Sequence, residues 1–136
     1  MEDDWTHVVV GAAPKKEYWG YHCIINASNC SGAKIGSEKN HRDFLKALVK
    51  DIDMVAYGDP VIAHFATHDP SKGGYTIMQM IETSSITGHF VDETGEAYLD
   101  VFSCKPFSVD AVLDVVRRFY EPTTMQQQMI YRKAWP

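Results

Sequence analysis

The chain has few cysteines. Cys23, Cys30 and Cys104 make an odd set of three without CxxC spacing, which argues against a disulfide framework and against a structural zinc site. No apolar run approaches the roughly 20 residues that span a bilayer. Basic runs are also missing: 13 Lys and Arg against 18 Asp and Glu leave a net charge of −5, which removes the electrostatic footprint of a nucleic-acid binder. Internal repeats, low-complexity stretches and Gly/Pro/Ser-rich linkers are absent, so the 136 residues read as one domain, 1–136. The start, Met1-Glu2-Asp3-Asp4-Trp5, is acidic where a signal peptide needs positive charge. A cytoplasmic protein with reduced thiols and no membrane partner is the expectation. His64 and His68, beside Asp69, lack a third ligand at suitable spacing, so no metal is expected.

What is present is 45% hydrophobic residues arranged in short periodic segments. Residues 19–27 read as a strand, in which Tyr21, Cys23, Ile24 and Ile25 supply aromatic and β-branched bulk before a polar break at 26–32. Ser37 can cap a helix starting near Glu38, with Phe44, Leu45, Leu48, Val49 and Ile52 as its apolar stripe. Gly58-Asp59-Pro60 ends that pattern. Residues 61–66 and 75–81 then read as strands, and 85–91 and 97–104 as a hairpin around Asp92-Glu93-Thr94-Gly95-Glu96. Ser108 caps a second helix, striped by Val109, Val112, Leu113, Val116 and Phe119 and stopped by Pro122. Residues 129–132 read as a last strand.

Two helices with one apolar face each, set among hairpin-joined strands, predict a two-layer α/β sandwich: a mainly antiparallel sheet with both helices on one face. The other face is then free to pack on a second copy, so a homodimer is expected.

The segment from Ile81 to Cys104 concentrates the reactive groups. Ser84 lies at the junction of two strands, where a tight turn can strain the preceding peptide bond. His89 is five residues on, and Cys104 ends the paired strand, so a hydroxyl, an imidazole and a thiol are expected to converge. Singly, each has a plain alternative: a turn serine, a core histidine, a small buried hydrophobe. Glu93 has one too, a solvated hairpin acid, and Asp100 has no chemical role assigned.

Ser84, His89, Glu93, Asp100 and Cys104 match, at their own spacings and without a gap, the Ser, His, Glu, Asp and Cys of the prokaryotic S-adenosylmethionine decarboxylases. The chain resembles that pyruvoyl-dependent family, as a short divergent member of the kind carried by phages. Gly20-x-His22 is similar to the family's early Gly-x-His, and Thr76 stands eight residues before Ser84, where the family usually has a hydroxyl. Two departures flank the site. Thr83-Ser84-Ser85 replaces the family's Glu-Ser-His, with Glu82 displaced by one position, and Phe90-Val91-Asp92-Glu93 replaces Thr-Trp-Pro-Glu.

The resemblance implies self-cleavage between Thr83 and Ser84 into chains 1–83 and 84–136. The Ser84 hydroxyl would attack the Thr83 carbonyl, Thr76 would stabilise the oxyanion, and His89 would remove the Ser84 α-proton, leaving a pyruvoyl group at residue 84. Aligning Glu82-Thr83 with Glu-Ser would instead make Thr83 the nucleophile and give a ketobutyryl group. Ser84 is preferred because it keeps His89, Glu93 and Cys104 in register. The pyruvoyl group would act as the electron sink for decarboxylating S-adenosylmethionine, toward spermidine and polyamine biosynthesis. Cys104 would return a proton to the substrate. Glu93 would bind the ribose hydroxyls, and Glu82 and Phe90 are further candidate substrate contacts. Two alternatives stay open: pyruvoyl chemistry on ornithine or arginine, and an unprocessed S-adenosylmethionine binder or lyase, which Thr83 in place of Glu favours.

Overall fold

The computed structural model describes residues 18–136. The expectation drawn from the acidic start, Met1 to Trp5, lies outside them. The elements run β1 (Gly20–Ser28), α1 (Gly32–Ile35), α2 (Glu38–Asp51), β2 (Val61–Phe65), β3 (Gly74–Ile81), β4 (Ser84–Val91), β5 (Glu96–Ser103), α3 (Val109–Tyr120) and β6 (Thr124–Arg132). The strands form one sheet in the order β2-β3-β4-β5-β1-β6, and every neighbouring pair is antiparallel. The α/β sandwich read from the pattern is the observed architecture. Its additions are the one-turn α1, inside the segment read as a polar break, and a last strand longer than residues 129–132.

Both helix starts follow the capping chemistry. Ser37 Oγ accepts the Asn40 N–H at 3.0 Å, and Ser108 Oγ accepts the Ala111 N–H at 3.1 Å. α3 ends on Glu121 in the left-handed region, φ 50°, directly before Pro122. The helices bury His41, Phe44, Leu45 and Leu48 from α2 and Val112, Val115, Val116 and Tyr120 from α3. Their sheet-side partners come from strict alternation: Tyr21, Cys23, Ile25 and Ala27 on β1, Ile86 and Phe90 on β4, and Ala97, Leu99 and Val101 on β5.

His41 is missing from the sequence-read core because a histidine does not score as apolar. It is fully buried, with Nδ1 2.8 Å from the Tyr120 hydroxyl and Nε2 2.7 Å from the Ile35 carbonyl. Burial pushes its pKa below the ordinary histidine value. Its ring lies 4.4 Å from that of Phe90 and 5.5 Å from that of Tyr120.

The opposite face of the sheet carries His22 and Ile24 on β1, Thr76, Met78 and Met80 on β3, Ser85, Thr87 and His89 on β4, and Tyr98, Asp100 and Phe102 on β5. No helix covers it. Val61, Phe65, Met78, Met80 and Tyr98, on that face, are 44–64% exposed. No helix among the described residues is long and apolar enough to cross a membrane.

Candidate functional site

β3 and β4 form a tight hairpin in which Ile81 pairs with Ser84, so Glu82 and Thr83 alone make the turn. Ser84 has φ 157°, a backbone setting that L residues rarely adopt. Such a setting costs on the order of 1–3 kcal/mol and persists only where surrounding structure enforces it. The strain sits on the residue that follows the Thr83–Ser84 bond. The last residue of β5, Ser103, pairs with Ser84, and this brings the next residue, Cys104, beside the turn. Its backbone N–H donates to the Thr83 carbonyl oxygen at 3.1 Å. The carbonyl that Ser84 would attack therefore already faces a donor able to stabilise negative charge on its oxygen.

The Thr83 side chain is held as well. Its hydroxyl accepts from Ser103 Oγ at 2.7 Å and donates toward Met54 Sδ at 3.3 Å. The 53–57 segment braces the turn from outside: the Glu82 N–H reaches the Val55 carbonyl at 2.9 Å, and Ala56 bridges to Ile81. Lys105 Nζ fixes that segment by contacts of 2.6 Å to the Asp53 carbonyl and 2.9 Å to its carboxylate. Sequence reasoning did not select Ser103 or Met54. The available signal was a hydroxyl at a core-facing position of β5, following Leu99 and Val101.

His89 and Thr76 form a second group at the other end of the hairpin, where they face each other in register. His89 Nε2 lies 3.0 Å from the Lys72 carbonyl, so that nitrogen carries the proton, and Nδ1 accepts from the Thr76 hydroxyl at 2.8 Å. His89 lies five residue steps along the strand from Ser84, about 17 Å at roughly 3.4 Å per residue. Alternation also puts His89 on the uncovered face, whereas Ser84 opens β4 in register with the helix-side residues Ile81 and Ser103. The expected convergence of hydroxyl, imidazole and thiol is therefore corrected: within one chain, the Cys104 backbone reaches the turn at Thr83–Ser84 and His89 stands apart. Thr76, expected at the oxyanion, sits beside His89 within the chain, and the donor at the Thr83 carbonyl is the Cys104 N–H.

Glu82 is exposed on the turn itself. Glu93 is exposed in the 92–95 turn, at the His89 end. Phe90, expected as a substrate contact, is fully buried under the helices, because alternation sends it to the face opposite His89. The other half of the early Gly-x-His signal reappears in the middle of the uncovered face, where His22 Nε2 lies 2.9 Å from Asp100 Oδ1. Beside it, Phe102 packs over Gly20, where an added Cβ would stand 2.7 Å from the ring. With Trp19, Arg132 and Trp135 it lines an aromatic cleft of about 400 Å³ at the Ser84 end. The Arg132 guanidinium lies 4.8 Å over the Phe102 ring. His64 contacts Asp92 at 2.5 Å, and among the described residues no three His, Cys, Asp or Glu side chains cluster so as to hold a metal ion.

A family model described as S-adenosylmethionine decarboxylase matches residues 21–133. The chain belongs to the S-adenosylmethionine decarboxylase family. Among curated proteins it is similar to the S-adenosylmethionine decarboxylase proenzyme of Prochlorococcus marinus (strain MIT 9211), with 28% identity over 85 residues. That match takes in 62% of this chain and 65% of the relative. Among solved structures it is similar to the adenosylmethionine decarboxylase of Aquifex aeolicus VF5, with a TM-score of 0.73 and 21% identity over 88% of this chain and 94% of that one. The structural likeness shows that the fold of this chain, a six-stranded antiparallel sheet with its helices, is shared with that solved structure.

Proposed function

We propose that this family member is a self-processing, pyruvoyl-dependent decarboxylase of S-adenosylmethionine, acting in the cytoplasm as a homodimer of one-domain chains and supplying the aminopropyl donor for spermidine. The observation that carries the reading is the Cys104 N–H on the Thr83 carbonyl, next to a strained Ser84. Attack of Ser84 Oγ on the Thr83 carbonyl carbon places the new oxyanion on an atom that already accepts that N–H. The C–N bond then breaks, the hydroxyl proton passes to the Ser84 nitrogen, and the strained backbone relaxes as the peptide becomes an ester. Loss of the Ser84 α-proton to a base expels the Thr83 carboxylate, and hydrolysis with loss of ammonia leaves the keto group at residue 84. A pyruvoyl group there would supply the electron sink that takes up the pair released with carbon dioxide.

The chain's own groups fit the remaining roles. Cys104, the residue next to Ser84's partner in the sheet, is the proton donor to the substrate. The Trp19–Phe102–Trp135 cleft offers stacking surface for the nucleoside at the same end. His89 has Nε2 protonated and Nδ1 on Thr76, a base held in one tautomer, and Glu93 lies at its end of the hairpin. These two groups come to bear on Ser84 when the uncovered faces of two chains pack about a two-fold axis, so that the His89 end of one lies over the Ser84 end of the other. The exposed apolar residues of that face support such packing.

Intact mass of freshly purified protein under denaturing conditions, with hydroxylamine added to a parallel sample to trap the ester, tests the reading. Two chains are expected, one ending at Thr83 and one beginning with a pyruvoyl residue 84. A permanently uncut 15.4 kDa chain overturns it in favour of the unprocessed binder or lyase. Cleavage followed by release of carbon dioxide from ornithine or arginine, and not from S-adenosylmethionine, overturns the substrate.

A further inference from the structure

We propose that Ser103 and Met54 are positioning residues for self-cleavage, which lock the Thr83 side chain so that its carbonyl rests on the Cys104 N–H and its hydroxyl is withheld from competing with Ser84. The inference rests on the self-processing reading and decides between the two hydroxyls that the sequence offers at this turn.

Ser103 is fully buried. A buried hydroxyl is retained where its hydrogen-bonding capacity is used, and here it both donates and accepts. Ser103 Oγ donates to Thr83 Oγ1 at 2.7 Å and accepts the Lys105 N–H at 2.9 Å. The second bond turns the chain just after β5, and that turn aims the intervening Cys104 N–H at the Thr83 carbonyl. One side chain thus fixes both sides of the carbonyl contact.

Met54 completes the lock. Its sulfur is 3.3 Å from Thr83 Oγ1 and 3.6 Å from Ser103 Oγ, and it is buried beneath the turn. The Thr83 hydroxyl therefore accepts one hydrogen bond and donates another. To attack the Glu82 carbonyl it would have to rotate and give up both. Ser84 Oγ has no such lock among the described residues. The two registers leave different products. Attack by Ser84 Oγ on the Thr83 carbonyl carbon, with its proton passing to the Ser84 nitrogen, ends in a Thr83 carboxylate and a pyruvoyl residue 84. Attack by Thr83 Oγ1 on the Glu82 carbonyl carbon, with its proton passing to the Thr83 nitrogen, ends in a Glu82 carboxylate and a 2-ketobutyryl residue 83.

The test is a cleavage time course read by intact mass for the unaltered chain, Ser103→Ala, Ser103→Thr and Met54→Leu, with thermal unfolding of each. Ser103→Ala and Met54→Leu are expected to slow cleavage about three- to tenfold, the effect of one lost hydrogen bond, and to yield some chains ending at Glu82. Ser103→Thr, which keeps the hydroxyl, restores the Thr83 terminus. The terminus is the telling readout, since a variant that is only less stable does not move the cut. Cleavage of both Ser103→Ala and Met54→Leu at the unaltered rate and only after Thr83 overturns the inference while leaving self-processing intact. If Ser103→Ala does not fold, Met54→Leu alone decides. An unaltered chain that never cleaves overturns both readings.

Discussion

Separation of Ser84 and His89 by about 17 Å along β4 leads to a complementation experiment with a numerical outcome. A general base must come within about 3 Å of the proton it removes, so His89 cannot serve Ser84 of its own chain. If His89 acts across a two-fold interface, each site takes Ser84 from one chain and His89 from the other. Ser84→Ala alone and His89→Ala alone then give no pyruvoyl chains. Mixed in equal amounts during expression, the two variants form heterodimers in which one site holds Ala at both positions and the other is intact. Random pairing puts about half of the His89→Ala chains in such heterodimers, so about half of them should be cut after Thr83. The assay is intact mass on the mixture, with the two variants distinguished by mass. Zero cleavage in a mixture shown to contain heterodimers refutes the two-chain arrangement. Full cleavage of His89→Ala by itself removes His89 from the mechanism altogether.

Ser84→Gly and Ser84→Ala should both stay uncut, and of the two uncut chains the glycine variant should be the more stable by about 1–3 kcal/mol, because only glycine relieves the φ of 157°. Equal denaturant midpoints would show that Ser84 carries no backbone strain. Cys104→Ala keeps its backbone N–H and should process, yet decarboxylate poorly; turnover at the unaltered rate counts against the thiol as proton donor. Burial holds the His41 pKa below 6.5, so the folded chain keeps this ring neutral while the unfolded chain protonates it. Its contribution is complete above about pH 6.5 and is lost as the pH falls toward the folded value, at up to about 1.4 kcal/mol per pH unit. An NMR titration placing the His41 midpoint at or above 6.5 would contradict this.

Local pattern carried the elements, because each rests on chemistry confined to a few neighbouring residues. Ser37 and Ser108 cap the helices that their positions announced, and the alternation of Leu99, Val101 and Ser103 against Tyr98, Asp100 and Phe102 sets the two faces of β5. The same alternation, followed further, would have warned that Phe90 faces the core and that His89, an odd number of residues from Ser84, faces away from it. The sequence match presented Ser84, His89 and Cys104 as one linear motif, whereas the sheet sorts them by register. Cys104 is distant in sequence and adjacent in space because the 92–95 turn folds β5 back on β4. His89 is near in sequence and remote in space because an extended strand carries it away. The Met54 brace was invisible at the sequence level for a further reason: it comes from a loop, 29 residues before Thr83, joined to the turn by irregular pairing through Val55 and Ala56. A motif read along the chain therefore names the reactive groups, but the strand register decides which of them one chain can bring together.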